Sequence, residues 1–169
     1  MWVFGYGSLM WDGWEARLGC LLSVRAELPG YARTFNKASV RNWGSKAAPG
    51  PTLNLKRAAT SCVGMAFDFP DDQASEVRAY LTKREGRDFA LRTTLVKLDG
   101  GEEVDALVPF YEGENLVQLA RTEEIAALVK RARGTEGPCT SYVIGISDKL
   151  RALGISDPVV EALRSAIDA

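Results

Sequence analysis

The chain has 169 residues, of which 46% are hydrophobic and 25% are charged, and its formal net charge is -1. These values are typical of a globular protein with one hydrophobic core, so we expect a single domain over residues 1–169. Scattered Lys and Arg exclude a basic surface for nucleic acid or an anionic membrane, and no apolar run is long enough to cross a bilayer. The first residues lack the features of a signal peptide, which predicts a cytoplasmic protein.

Histidine is absent from the sequence, which excludes Ser-His and Cys-His catalysis and any His-ligated metal. The three cysteines, Cys20, Cys62 and Cys139, are far apart and lack the CxxC spacing of a zinc or redox site. We interpret them as small buried hydrophobic residues and predict neither a metal nor a cofactor. Proton transfer near neutral pH would then fall to a carboxylate with a raised pKa.

Strands dominate the first two thirds of the chain, where short apolar or alternating segments lie between turn signals. They are predicted over Trp2–Tyr6, Cys20–Leu28, Tyr31–Val40, Pro51–Leu55, Cys62–Phe69, Phe89–Leu98 and Val104–Tyr111. Pro29-Gly30 predicts a turn, Asp99-Gly100-Gly101 predicts a hairpin, and the segment Arg41 to Pro51 predicts a long surface loop.

One helix interrupts the strands, and helices complete the chain. The inserted helix is expected to be capped by Asp71 or Asp72 and to end at Gly86. Later helices are expected to begin near Thr122, Pro138 and Asp157-Pro158. The pattern predicts an α+β fold: a closed or nearly closed barrel of mainly antiparallel strands, with flanking helices.

The first candidate site is the glycine-rich segment Gly5–Met10. It begins like a dinucleotide-binding motif, but Met10 takes the place of the last glycine and no amphipathic helix follows. A turn at a strand end can instead present backbone N–H groups to an anion, with the Ser8 hydroxyl as a further donor. Gly7 can also require a positive φ there. A purely structural turn is the alternative interpretation.

The second candidate is Glu85, which follows Val77 and Leu81 at helical spacing on the apolar face of the inserted helix. Its position in the last turn places a carboxylate where the helix dipole disfavours an anion. Desolvation and the dipole both raise the pKa of such a group toward the range of a general acid/base. The structural alternative is an ion pair with Arg84 or Arg87, or exposure to water at a frayed helix end.

Together these segments resemble the ChaC-like γ-glutamylcyclotransferases. The segment Phe4 to Trp11 is similar to that family's YGSL loop with its following Trp, and Tyr80–Gly86 resembles its YLxxRE segment, which holds the catalytic glutamate. Pro29-Gly30-Tyr31 and residues 36–54 are similar to the family's intervening region, and residues 137–153 resemble its C-terminal helix with an active-site tyrosine. The resemblance covers most of the chain in the right order.

The resemblance implies a small β-barrel enzyme that needs no metal or cofactor. In this family the α-amine of a γ-glutamyl group attacks its own γ-carbonyl, which gives 5-oxoproline and releases the attached amine. Glu85 is the implied general acid/base, and the implied substrate contacts are Tyr6, Gly7, Ser8, Leu9 and Tyr142. The implied partner is a small γ-glutamyl substrate. The sequence leaves open whether the protein is a monomer or a dimer.

Two parts of the sequence depart from the glutathione-specific pattern. They are Asp12-Gly13-Trp14 and Val40–Gly44, the latter within the long loop that could contact the leaving group. Arg41 and Trp43 could be lid residues, and a solvated arginine and a packed tryptophan are the alternatives. Three functions follow: cyclotransfer on glutathione as the leading hypothesis, the same reaction on another γ-glutamyl compound, or binding of a small carboxylate without turnover.

Overall fold

The computed structural model describes residues 1–169. Five strands form a closed barrel in the order β1-β3-β2-β4-β5. They are β1 (Trp2–Gly5), β2 (Leu22–Ser39), β3 (Gly50–Asp68), β4 (Phe89–Leu98) and β5 (Glu103–Tyr111). Strand β1 pairs antiparallel with β3 and parallel with β5, and this parallel pair closes the barrel. The predicted α+β barrel with flanking helices is confirmed.

Two strands are much longer than the sequence predicts. The predicted turn at Pro29-Gly30 is wrong, because β2 continues through both residues, with Gly30 at φ +81°. A glycine can take this left-handed conformation inside a strand and bend it without ending it. Strand β3 likewise joins the two predicted strands on either side of residues 56–61. The predicted hairpin is confirmed between β4 and β5, with Gly101 at φ +90°.

The helices that accompany the barrel are short, and none of them is both long and apolar enough to cross a membrane. They are α1 (Trp14–Arg17), α2 (Ala74–Glu85), α3 (Thr122–Arg131), α4 (Cys139–Ala152) and α5 (Pro158–Asp168). The expected cap by Asp71 or Asp72 is wrong, because both lie in a 3₁₀ turn before α2 and no side chain caps that helix. The expected end at Gly86 is confirmed, with Gly86 at φ +88°.

By its internal packing the chain divides into two compact units, residues 1–32 with 55–113 and residues 33–54 with 114–169. We call them unit 1 and unit 2. Unit 1 contains two core clusters, one including Phe4 and Val108 and the other including Trp14, Val77 and Leu81. The expectation of a single domain stays a prediction.

Unit 2 contains α3, α4 and α5, which pack against one another. Asp157 caps α5, since its carboxylate accepts hydrogen bonds from the backbone N–H groups of Val159 and Val160. Its other oxygen lies 2.8 Å from the guanidinium of Arg33, whose side chain is fully buried. The short strands β6 (Arg133–Gly134) and β7 (Gly137–Pro138) form a hairpin just before α4.

Candidate active site

The glycine-rich segment leaves β1 and turns at once into a 3₁₀ helix over Ser8–Met10. The Met10 N–H donates to the Gly7 carbonyl over 2.9 Å, so the N–H groups of Ser8 and Leu9 come before the first hydrogen bonds of this helix. Neither of those two N–H groups has an acceptor within the protein. The segment therefore presents two backbone donors side by side, which is the arrangement that binds an anion. The expected positive φ at Gly7 is wrong, since its φ is -135°.

The predicted substrate contacts of this segment differ in their exposure. Ser8 is exposed, and Gly7 is partly exposed. Tyr6 and Leu9 are buried, and the Tyr6 hydroxyl donates to the Pro109 carbonyl over 2.9 Å. The Tyr6 and Leu9 side chains anchor the segment in the core of unit 1. Between them Ser8 stays at the surface, where its hydroxyl and its backbone N–H are both available as donors.

The backbone behind this segment is packed too closely for extra side-chain atoms. A Cβ placed on Gly64 of β3 would lie 2.3 Å from the Gly5 carbonyl oxygen, and a Cβ on Gly5 would lie 2.9 Å from the Leu9 Cβ. Real Cβ atoms do not approach backbone oxygens this closely. Glycine at these two positions lets the strand end and the turn pack directly against β3.

Glu85 is the last residue of α2 and is partly buried. Val77 and Leu81, which precede it on the same face, are completely buried, so the predicted apolar stripe is confirmed. Of the two neighbouring arginines, Arg84 contacts Asp12, Tyr80 and Ser8, and the side chain of Arg87 is exposed. The role of Glu85 stays a prediction.

Arg84 links the end of α2 to the glycine-rich segment. Its guanidinium forms an ion pair with Asp12 at 2.8 Å and donates to the Ser8 carbonyl at 3.2 Å and to the Ser8 hydroxyl at 3.3 Å. It also donates to the Tyr80 hydroxyl at 3.0 Å. Burial alone would lower the pKa of Arg84, but hydrogen bonds and charge interactions with Asp12 and Tyr80 outweigh it and raise that pKa above its ordinary value. The residue next to Glu85 is thus bonded to Ser8, and the two predicted segments lie side by side.

Sequence reasoning missed the role of Asp12 and Trp14, which it recorded only as departures from a pattern. Asp12 has φ +88°, a conformation that Asp tolerates better than most residues. Trp14 is completely buried; its indole N–H donates to the Leu9 carbonyl over 2.8 Å, and its ring stacks on Tyr80. The sequence signal for this contact was the presence of two aromatic residues, Trp14 after the glycine-rich segment and Tyr80 one helical turn before Arg84.

In unit 2, Tyr142 lies on α4 and is partly buried. Its hydroxyl accepts a hydrogen bond from the Leu53 N–H over 3.1 Å, and its ring centroid lies 5.4 Å from that of Trp43. Trp43 belongs to the long loop, whose prediction is confirmed. That loop is held by the hairpin before α4, because the Arg41 carbonyl accepts a hydrogen bond from the Thr135 N–H over 2.9 Å. Trp43 is therefore packed beside Tyr142, while Arg41 is exposed.

Two of the three cysteines are buried, as the sequence predicted for all three. Cys62 and Cys139 are buried and Cys20 is partly exposed. Burial raises the pKa of the Cys139 thiol to about 12, which makes it a poor nucleophile. No group of three or more Cys, Asp or Glu side chains is arranged to hold a metal ion. The absence of a metal or cofactor from the reaction stays a prediction.

Comparison with known proteins gives one consistent result. A family model described as ChaC-like protein matches residues 1–169. The chain is 30% identical to a glutathione-specific γ-glutamylcyclotransferase of Escherichia coli (strain K12), over 93% of this chain and 68% of that protein. It is 27% identical to γ-glutamylcyclotransferase 2-3 of Arabidopsis thaliana, over 99% of this chain and 88% of that protein.

The fold agrees with a solved structure. The crystal structure of a glutathione-specific γ-glutamyl cyclotransferase from yeast superposes with a TM-score of 0.84 at 20% identity, covering 99% of this chain and 95% of that one. A structure described as γ-glutamyl cyclotransferase matches with a TM-score of 0.51 at 12% identity, over 98% of each chain. At these identities the likeness shows a shared fold.

Proposed function

The chain belongs to the ChaC-like protein family, and from this membership we propose that it is a γ-glutamylcyclotransferase that acts on glutathione. The curated relatives named above support this assignment, since the bacterial one is specific to glutathione and the plant one is a γ-glutamylcyclotransferase. The observation that carries the proposal is the bonding of Arg84 to Ser8, because it joins the glycine-rich segment to the helix end that bears Glu85.

The proposed reaction is an intramolecular aminolysis. The α-amine of the γ-glutamyl group attacks the γ-carbonyl, a C–N bond closes the five-membered ring, and the amide bond to the cysteine breaks. The products are 5-oxoproline and Cys-Gly. Because the nucleophile belongs to the substrate, the protein has to orient the amine and transfer a proton to the leaving nitrogen, and no protein nucleophile is needed.

Glu85 is the proposed general acid/base. The substrate amine is an ammonium at neutral pH and must lose one proton before it can attack, and its nitrogen loses a second proton to water as the ring amide forms. The leaving nitrogen must gain one proton to depart as an amine. A single carboxylate can accept the first proton and deliver it to the leaving nitrogen. The position of Glu85 in the last turn of α2, where it is partly buried, supports this role.

The glycine-rich segment is the proposed site for the substrate α-carboxylate. The Ser8 and Leu9 N–H groups lack protein acceptors, and the exposed Ser8 hydroxyl is a third donor. Hydrogen bonds to a charged acceptor are stronger than neutral ones, and several of them would fix the amine relative to the carbonyl. We assign Tyr6 and Gly7 to the same γ-glutamyl half, through their support of this turn.

Tyr142 is the remaining proposed substrate contact, as the family resemblance implies. The Trp43 ring packs against that of Tyr142 at an angle of 43°, so the loop that contains Trp43 is the proposed determinant of the leaving amine. Cyclotransfer on another γ-glutamyl compound is the second candidate, and the departures at Val40–Gly44 favour testing it. A cytoplasmic location stays a prediction.

The experiment that tests the function incubates the pure protein with glutathione and a panel of γ-glutamyl dipeptides and γ-glutamylamines. Release of 5-oxoproline is measured for each compound. The proposal predicts the highest kcat/KM with glutathione. A higher value with another compound would move the assignment to that substrate, and no release from any compound would leave carboxylate binding without turnover.

A further inference from the structure

We propose that Arg84 is a positioning residue that sets the Ser8–Leu9 peptide so that its N–H group faces the substrate carboxylate. The proposal rests on the function proposed above and adds a residue to it. Arg84 reaches the segment across 76 positions of the chain, and its side chain is only 18% exposed. Its guanidinium is therefore part of the packed structure between α2 and the glycine-rich segment.

The orientation of the peptide follows from the contact with the Ser8 carbonyl. One guanidinium nitrogen lies 3.2 Å from that oxygen. In a trans peptide the C=O and the following N–H point in opposite directions. By holding the Ser8 carbonyl on the side of α2, Arg84 turns the Leu9 N–H to the opposite side. The Trp11 N–H also donates to this carbonyl, over a longer 3.4 Å, so the guanidinium is the shorter and the charged one of its two donors.

The same nitrogen also prepares the Ser8 side chain. It lies 3.3 Å from the Ser8 hydroxyl oxygen, which accepts a hydrogen bond from the guanidinium. A hydroxyl that accepts from a cation keeps its own proton for another acceptor and becomes a better donor. Arg84 thus directs two neighbouring donors, the Leu9 N–H and the Ser8 O–H, away from itself.

Arg84 is itself held by two partners, so its geometry is defined. Asp12 accepts from one guanidinium nitrogen at 2.8 Å, and the Tyr80 hydroxyl accepts from another at 3.0 Å. A planar guanidinium can contact several acceptors at once, which a lysine ammonium does less well. Trp14 completes the support by stacking on Tyr80 and donating to the Leu9 carbonyl.

The kinetic test compares Arg84→Gln with Arg87→Gln, a matched control at an exposed arginine of the same region. Arg84→Gln should raise KM about 10- to 100-fold for every γ-glutamyl substrate, because the carboxylate is bound in both the ground state and the transition state. The kcat should fall much less, and Arg87→Gln should leave both constants unchanged. A folded Arg84→Gln protein with parental KM would overturn the proposal.

A second variant and a second measurement keep the test independent of folding and of turnover. Asp12→Asn removes the ion-pair partner at an exposed position, and it should raise KM in the same direction by a smaller factor. Titration with 5-oxoproline, which retains the carboxylate, should shift the Ser8 and Leu9 amide resonances in the NMR spectrum of the parent and of Arg87→Gln. Arg84→Gln, or Asp12→Asn if the former does not fold, should weaken that response.

These readings separate the two proposals. Arg84-dependent amide shifts in a protein that releases no 5-oxoproline would support the positioning role and reject the cyclotransferase function. Normal turnover with no shift of the Ser8 and Leu9 amides in the parent would support the cyclotransferase function and reject the positioning role.

Discussion

Trp14 and Tyr80 stack with their ring planes 5° apart and their centroids 5.5 Å apart. This pair joins the segment after the glycine-rich turn to the helix that ends at Glu85, and the Trp14 indole N–H also bonds the Leu9 carbonyl. The local structure on which the candidate site depends is thus anchored by an aromatic contact inside unit 1.

Replacing Trp14 with Phe tests this anchor. The variant loses the indole hydrogen bond to Leu9 and leaves a space in the core, so the free energy of unfolding should fall by about 1–3 kcal/mol. Urea unfolding provides the measurement. Trp11→Phe, at a partly exposed tryptophan in the same segment, is the matched control and should change stability by less than about 0.5 kcal/mol. Equal effects of the two changes would show that Trp14 has no special anchoring role.

Gly64→Ala tests the close packing behind the turn. The added Cβ would meet the Gly5 carbonyl oxygen at 2.3 Å, so β1 and β3 would have to separate. We expect a loss of stability of about 1–3 kcal/mol, as for other overpacked cores, together with weaker substrate binding. Gly100→Ala is the control, since a Cβ there meets nothing within 4 Å. A Gly64→Ala protein as stable as the parent would contradict the packing described here.

Much of the barrel could be predicted from local patterns, and the errors have local causes. Pro29-Gly30 is a strong turn signal, yet β2 continues through it, because pairing with neighbouring strands outweighs a preference carried by two residues. The positions of Glu85 and of the glycine-rich turn were accessible from helix periodicity and motif spacing. The contacts of Arg84 with Ser8 and Asp12 were not, because no short-range pattern specifies which side chains meet across the fold.

Cys139 should make stability depend on alkaline pH. Burial raises the pKa of its thiol from 9.0 to about 12, so folding favours the protonated form. The stability that the protonated thiol contributes is fully present below the pKa of this thiol in the unfolded chain. It is lost as the pH rises through the pKa of the thiol in the folded protein. Between about pH 8 and about pH 10 the free energy of unfolding should therefore fall by about 1 kcal/mol because of this thiol. Cys139→Ala should show a smaller loss than the parent over that interval by urea unfolding, and an identical loss would exclude the thiol as the cause.

The most direct measurement for the proposed mechanism is the turnover of Glu85→Gln with glutathione. The change keeps the size of the side chain but removes the proton acceptor, so 5-oxoproline release should fall by about 10²–10⁴-fold while the protein stays folded. Glu76→Gln, at an exposed glutamate in the first turn of the same helix, is the matched control and should keep parental activity. The account predicts this contrast between the two variants, and near-parental release of 5-oxoproline by a folded Glu85→Gln protein would contradict it.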